Sequence, residues 1–245
     1  MNRNKWLLVI AFVISCVRSY AQVTSWPNIN VEAKPATRWW WMGSAVDKEN
    51  LTRNIKSYAE AGMGTLEITP IYGVQGNDAN EIPFLSPQWM EMLRHTQSEA
   101  HRNGMQIDMN TGTGWPFGSP EVSLEDAASC LLISEYKLKG GERLRVKVEP
   151  EDKTQKAHAV LSRLMGFSDK GVCLDLTLKV DSKGMLNWKA SKGNWRLIAA
   201  FTGKTLQKVK RAAPGGEGYV MDHFSEKSVE NYLARFDKAF SNSKV

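Results

Sequence analysis

The sequence predicts an α/β protein: a partial (β/α) barrel of about four parallel strands with helices, carrying an inserted antiparallel β-sandwich-like subdomain. Three observations predict it. Residues 38–127 alternate short bulky strands with amphipathic helices, the rhythm of a parallel sheet with crossover helices. Residues 128–210 change to period-two patterning punctuated by turn signals. One further strand–helix unit follows at 211–245, so the count stops near four where a closed barrel takes about eight strands and 250 residues. The chain therefore reads as the first part of a longer barrel, with a complete open-sheet protein as the alternative.

The elements follow in order. Arg3 and Lys5 precede the apolar run Trp6–Cys16, and Ser19-Tyr20-Ala21 supplies small residues for cleavage. Residues 1–21 read as a signal peptide, with export to the periplasm or cell surface. A lipoprotein box, Val13-Ile14-Ser15-Cys16 with Cys16 acylated, is the alternative. The first part of the barrel spans 22–127. Arg38-Trp-Trp-Trp-Met-Gly43 is a bulky strand, and Ser44-Ala-Val-Asp47 resembles a capping box. Leu51, Ile55, Tyr58 and Ala59 stripe the next helix, which Gly62 can stop. In the strand Thr65–Thr69, Leu66 and Ile68 oppose Glu67 and Thr69. A loop carrying Tyr72 and Gly73 leads to Ser86-Pro87, a cap with proline at the first helical position. Met90, Leu93, Gln97 and Ala100 form that helix's stripe, Gly104 ends it, and the strand Gln106–Asn110 follows.

In the inserted part, 128–210, six alternating strands are predicted: 130–139, 142–149, 158–167, 172–180, 185–189 and 195–202. Gly140-Gly141 reads as a hairpin turn between the first two. The last part, 211–245, offers Tyr219–Phe224 as a fourth parallel strand. Ser225 then caps a helix striped by Val229, Tyr232, Leu233, Phe236 and Phe240.

Composition bounds the function. Of 245 residues, 42% are hydrophobic and 24% charged, which fits a folded protein. Nine tryptophans are many for this length and point to a lined cleft or a dense core. Residues 137–211 hold 18 Lys and Arg against 7 Asp and Glu, but the cations are scattered along alternating strands. A solvated sheet face explains them better than a nucleic-acid surface. No segment after the leader is apolar enough to span a membrane. Cys130 and Cys173 fit no zinc spacing and read as two buried thiols, with a disulfide as the alternative. His95, His101, His158 and His223 show no metal-ligand spacing, and His95 and His101 read as surface residues. Gly112-Thr-Gly114 lacks the rest of a dinucleotide fingerprint or P-loop.

The informative stretch is Ile107-Asp-Met-Asn-Thr-Gly-Thr-Gly-Trp-Pro-Phe-Gly118. Asp108 and Asn110 share one strand face, and the loop beyond adds flat aromatic surfaces. Polar groups beside an aromatic plate suit a sugar, with its hydroxyl rim and C–H faces. Glu67, Thr69, Asp108 and Asn110 all fall towards the carboxyl ends of their strands, where (β/α) barrels build their sites. For Glu67, pairing inside the barrel is an equal alternative.

Four segments, Arg38–Gly43, Glu67–Gly73, Asp108–Gly118 and Gly218–Phe224, together resemble the α-L-rhamnosidases of glycoside hydrolase family 106. The resemblance covers nearly the whole mature chain. It implies a (β/α) barrel with β-sandwich additions, acting on terminal α-linked rhamnose in plant polysaccharides such as pectin. It also implies an inverting mechanism and a calcium ion contacting the sugar. Its acid and base glutamates are expected on later barrel strands, beyond Val245, so no catalytic pair is assigned. The proposed substrate-pocket residues are Trp40, Trp41, Glu67, Asp108, Asn110, Trp115, Asp222 and His223, with at most one of Trp40 and Trp41 facing the mouth. The partner is a rhamnose-containing glycan. The competing readings are a non-catalytic carbohydrate-binding protein and an inactive gene remnant.

Overall fold

Bulky residues at period two build the first layer. The computed structural model describes residues 26–243 and 245, so the expected signal segment and Cys16 lie outside the described residues. Strands β1 (Ala36–Met42), β2 (Thr65–Ile71) and β3 (Gln106–Met109) pair in parallel in that order. The crossovers are α1 (Lys48–Glu60) and α2 (Pro87–Arg102). Both helices and the later α3 (Glu226–Ser241) share one apolar cluster with the sheet. Trp39, Trp41, Leu66 and Ile68 supply the sheet's side of it; Leu51, Ile55, Trp89, Leu93, Tyr232 and Phe236 supply the helices' side. Each fully buried aliphatic side chain here contributes about 1.5–3 kcal/mol.

Several helix details differ from the sequence expectation. Asp47, not Ser44, caps α1, accepting the Asn50 amide at 2.8 Å. Ser44 is buried, and its hydroxyl accepts the Trp89 indole N–H at 3.0 Å. Along α2 the buried stripe runs through Trp89, Met92, Leu93, Thr96 and Ala100, while Gln97 is exposed. His95 is half-buried rather than on the open surface. Its Nε2 lies 2.9 Å from the Thr52 hydroxyl and 3.1 Å from the Lys48 carbonyl, stitching α2 to α1.

The expected fourth parallel strand does not join the sheet. Gly118–Ser119 forms the short strand β4, and within Tyr219–Phe224 only Tyr219–Val220 is extended and paired, antiparallel to β4. The apolar run was legible, but its partner was not. The parallel sheet therefore has three strands among the described residues.

Residues 129–204 are antiparallel. β5 (Ser129–Lys139), β7 (Val160–Ser168), β8 (Cys173–Asp175) and β10 (Asn194–Lys204) form one sheet in the order β5-β10-β7-β8. β6 (Arg143–Lys147) and β9 (Met185–Lys189) form another, and β11 is the Tyr219–Val220 strand above. The two antiparallel sheets share a second cluster that includes Leu164, Leu186, Trp195, Leu197 and Phe201. Gly140-Gly141 is thus not a hairpin turn, because β5 pairs with β10 and β6 with β9. The glycines carry the chain from one sheet to the other.

The architecture is mixed α/β, with several sheets that are mostly antiparallel. The cysteines also differ from expectation. Cys130 is half-buried and Cys173 exposed, and both are free. Two strands separate β5 from β8, several times the reach of a disulfide.

Candidate functional site

The face of the parallel sheet opposite the helices is where the polar strand residues gather. Parity forces this. Trp39 and Trp41 point into the core, so Arg38, Trp40 and Met42 point away. Glu67 and Thr69 oppose Leu66 and Ile68, and Asp108 opposes Ile107 and Met109. The register aligns Arg38 with Glu67 and Glu67 with Asp108, giving one polar row across three strands. Arg38 Nε donates to Glu67 Oε2 at 2.9 Å, so one of the two row carboxylates is paired and Asp108 is exposed.

One register step along, Trp40 stands beside Thr69. Its ring meets Trp115 edge-on at 5.8 Å between centroids, and the Arg38 guanidinium lies 5.8 Å from the Trp40 ring. Trp40 is 44% exposed and Trp115 39%. The two large indoles thus lie edge to edge and part-exposed on this face.

The loop after β3 positions Trp115. Asn110 Oδ1 accepts the Gly112 amide at 3.1 Å and turns the chain. The buried Tyr232 of α3 donates its hydroxyl to the Thr111 carbonyl at 2.6 Å. Burial pushes that phenol up to about 12. Trp115 exchanges two backbone hydrogen bonds with Lys210, at 3.1 and 2.9 Å. Gly114 permits this approach, since a Cβ there would overlap the backbone of Lys210 and Ala212. The 210–213 segment also reaches β2's end, where the Arg211 carbonyl accepts the Tyr72 amide at 3.0 Å.

The structure thus brings together Trp40, Glu67, Asp108, Asn110 and Trp115. Trp41 is 1% exposed and lies in the core against Trp39 and Trp89, on the far side of the sheet from the polar row. Asp222 and His223 sit at the turn before α3. Asp222 N donates to the Asp126 carbonyl at 2.8 Å, and its carboxylate accepts the Phe224 amide at 3.1 Å. His223 is exposed. Among the described residues, no hydrogen bond or ion pair joins either of them to the polar row.

Sequence reasoning missed Arg38, Tyr72 and Arg211. Arg38 shares parity with Trp40 and was findable by the same rule. Tyr72 follows β2 directly. Arg211 carried no such signal, because it arrives from about a hundred residues downstream.

The arrangement offers an aromatic plate for a C–H face, carboxylate and amide oxygens for hydroxyls, and guanidinium donors. The Glu67 and Asp108 backbones are one strand spacing apart, about 4.8 Å, and the Glu67 carboxylate turns to Arg38 on its other neighbour.

A curated relative named "Putative beta-glucuronidase", from Formosa agariphila, is 26% identical over 239 residues, covering 82% of this chain and 20% of its own length. A solved rhamnosidase from Novosphingobium sp. PP1Y shares the fold with a TM-score of 0.59 at 14% identity. The likeness covers 88% of this chain and 37% of that one. The chain therefore spans about a fifth of the length of the curated relative and just over a third of the solved one. The family model for α-L-rhamnosidase matches residues 27–171, more than half of the sequence, and the chain belongs to glycoside hydrolase family 106.

Proposed function

We propose that the open face of the β1–β3 sheet binds a terminal α-L-rhamnose residue of a plant polysaccharide such as pectin, as part of an inverting α-L-rhamnosidase. In this reading the three-stranded sheet is an arc of a (β/α) barrel. The observation that carries the proposal is the exposed Trp40–Trp115 pair above the Arg38–Glu67–Asp108 row. A deoxyhexose presents a methyl group and C–H faces to an indole while its hydroxyls reach carboxylates and amides.

The residues divide the work by chemistry. Trp40 and Trp115 hold the ring's apolar face. Asp108, with Asn110 beside it, accepts hydrogen bonds from hydroxyls, and Glu67 does so while anchored by Arg38. None of them is assigned to proton transfer, and Glu67, the paired carboxylate of the row, is already held by Arg38. The acid and base of the reaction are proposed to lie outside the described residues. Asp222 and His223 are retained as more distant pocket residues of the complete site.

Calcium belongs to this proposal through the family alone. Among the described residues, no group of three or more His, Cys, Asp or Glu side chains is arranged to hold a metal ion. A calcium ion takes six to eight oxygen ligands, so the row by itself does not make a cage, and no step is routed through one. Export to the periplasm or cell surface is likewise proposed, on the basic and apolar leader of residues 3–21. No helix among the described residues is long and apolar enough to cross a membrane.

The engagement of Glu67 by Arg38 favours one second reading: carbohydrate binding by this chain without catalysis of its own. One experiment covers both. Calorimetric titration of the full chain with a methyl α-L-rhamnoside should show saturable binding. Trp115→Ala should weaken it about thirtyfold, the loss of roughly 2 kcal/mol typical of a central aromatic anchor. An aryl α-L-rhamnoside should show no turnover by this chain alone. Absence of binding by a folded sample would refute the site, and robust turnover would refute the placement of acid and base elsewhere.

A further inference from the structure

One polar group on the open face of the parallel sheet is left over. Glu67 takes Arg38, and Asn110 Oδ1 takes the Gly112 amide. Thr69, on the same face two residues after Glu67, is 2% exposed, and its hydroxyl is buried without a hydrogen-bond partner among the described residues. A buried hydroxyl in that state is a cost to the folded chain. Other buried groups share the state but not the place. Trp41 Nε1 lies on the core side of the sheet, the Thr113 hydroxyl lies where a Cβ on Gly216 would stand, Ser119 belongs to β4 and Arg235 to α3.

The register says what stands beside Thr69. Its partner on β1 is Trp40. Paired residues of parallel strands point to the same side, about 4.8 Å apart, so the broad indole can cover the small threonine. Trp40 in turn meets Trp115 at 5.8 Å between centroids, and both indoles are partly exposed. On the other flank Asn110 continues β3, its amide donating to the Ile68 carbonyl at 2.9 Å. Exposure falls sharply along this one face, from 33% for the Glu67 side chain to 2% for Thr69. The step in burial coincides with the indoles. The loop that carries Trp115 is fastened through its backbone, to Lys210 and to Tyr232, so the ring can change rotamer without moving the chain.

We infer that Thr69 is a sugar-binding residue held in reserve beside the Trp40–Trp115 pair: the ligand parts the two indoles, and one of its hydroxyl groups hydrogen-bonds the Thr69 hydroxyl. The inference rests on the glycan-binding reading above and deepens it, by naming a contact that sets specificity. It joins two facts at one register position, a hydroxyl left unpaired in the free chain and an aromatic pair that is only partly packed. For packing alone valine would serve, since it has nearly the same shape and favours strands. A site built to hydrogen-bond a sugar hydroxyl rejects the analogue that lacks it, because its own polar group is then unpaired.

The test titrates methyl α-L-rhamnoside and its three monodeoxy analogues into the full chain by calorimetry, with Thr69→Val and Thr69→Ser beside the wild type. Wild type should bind the parent sugar and lose about tenfold on one deoxy analogue. Thr69→Val should lose about tenfold on the parent sugar and nothing further on that analogue, and Thr69→Ser should restore most of the affinity. In the free chain the order reverses: Thr69→Val should melt about 2 °C or more above wild type, because it removes the unpaired hydroxyl. Tryptophan fluorescence should change as the parent sugar binds, and Trp115→Phe should remove most of that change. Wild-type affinity in Thr69→Val overturns the inference and leaves the glycan site standing. A loss in Thr69→Val that is equal for all four sugars also overturns it, and makes Thr69 a packing residue. A lower melting temperature for Thr69→Val overturns the reserve role, since the hydroxyl is then already satisfied in the free chain. Unchanged fluorescence at saturation overturns the parting of the indoles. Failure of the folded wild type to bind any of the four sugars overturns the glycan-binding reading itself.

Discussion

At the scale of single residues, alternation along a strand decided most of the site. Trp40 and Trp41 are neighbours with opposite fates, one 44% exposed and one in the core. Period two predicted that split; the parallel register then aligned Glu67 with Asp108. Pairing of Glu67 was one of the two sequence readings, and the structure supplies its partner, Arg38. The Arg38–Glu67 pair is partly exposed on both sides, so its share of stability is about 0.2–1 kcal/mol. Glu67→Gln should therefore lower unfolding free energy by under about 1 kcal/mol. Rhamnoside affinity should fall about tenfold or more, because a charged acceptor for a sugar hydroxyl is lost. Parallel denaturant melts and calorimetry separate the two effects. A variant that keeps wild-type affinity would make Glu67 a strand-pairing residue only. Arg211 marks the limit of local reading. Its position beside Tyr72 is set by backbone pairing between segments far apart in the chain, which no periodicity encodes.

At the scale of elements, the strands and helices were legible where one face is apolar, and their partners were not. Gly140-Gly141 correctly marked a break, yet the strands it separates enter different sheets. Tyr219–Val220 was correctly read as extended, yet it pairs with the two residues Gly118–Ser119 and not with β3. A strand's pattern states how many faces are buried; its pairing depends on residues elsewhere. The same holds for α3. Its stripe predicted burial of Tyr232 and Phe236, but not that the Tyr232 hydroxyl would fasten the Thr111–Trp115 loop. Tyr232→Phe keeps the ring and removes that bond. It leaves the Thr111 carbonyl unpaired, a cost of about 1–3 kcal/mol. The pH dependence gives a second signature. Burial raises the folded phenol to about 12, so its contribution is fully present below the unfolded value near 10 and is lost as pH rises through 12. Wild type should lose stability between pH 10 and 12, and the phenylalanine variant less. Part of the slope should persist, since burial also raises Tyr136. An identical alkaline profile for both proteins would remove Tyr232 from the account.

At the scale of the whole molecule, two apolar clusters with no residue in common are joined at one narrow place. The chain enters the antiparallel sheets at Ala128 and leaves them at Thr205, whose amide donates to the Ala128 carbonyl at 2.8 Å. Lys204 closes this neck. Its ammonium donates to the carbonyls of Glu125 and Ala127 at 2.7 and 2.8 Å, and to the Ser129 hydroxyl at 3.3 Å. Asp222 belongs to the same junction. Burial works to raise its carboxyl, but hydrogen bonds from Ser129 and Phe224, with the nearby Lys204 charge, hold it below the usual range. A carboxyl depressed in this way stabilises the fold above its unfolded value near 3.9. That contribution is lost as pH falls through the lower folded value. Lys204→Met should cost about 1–2 kcal/mol at pH 7, by unpairing two carbonyls and releasing Asp222 towards its ordinary range. Because wild type alone then has the larger acid penalty, the gap between the proteins should narrow on going from pH 7 to pH 3. Urea unfolding at the two pH values measures it, and an NMR titration of Asp222 locates the cause. A gap of the same size at both would mean that Lys204 and Asp222 act independently, and that the neck is held by backbone pairing alone.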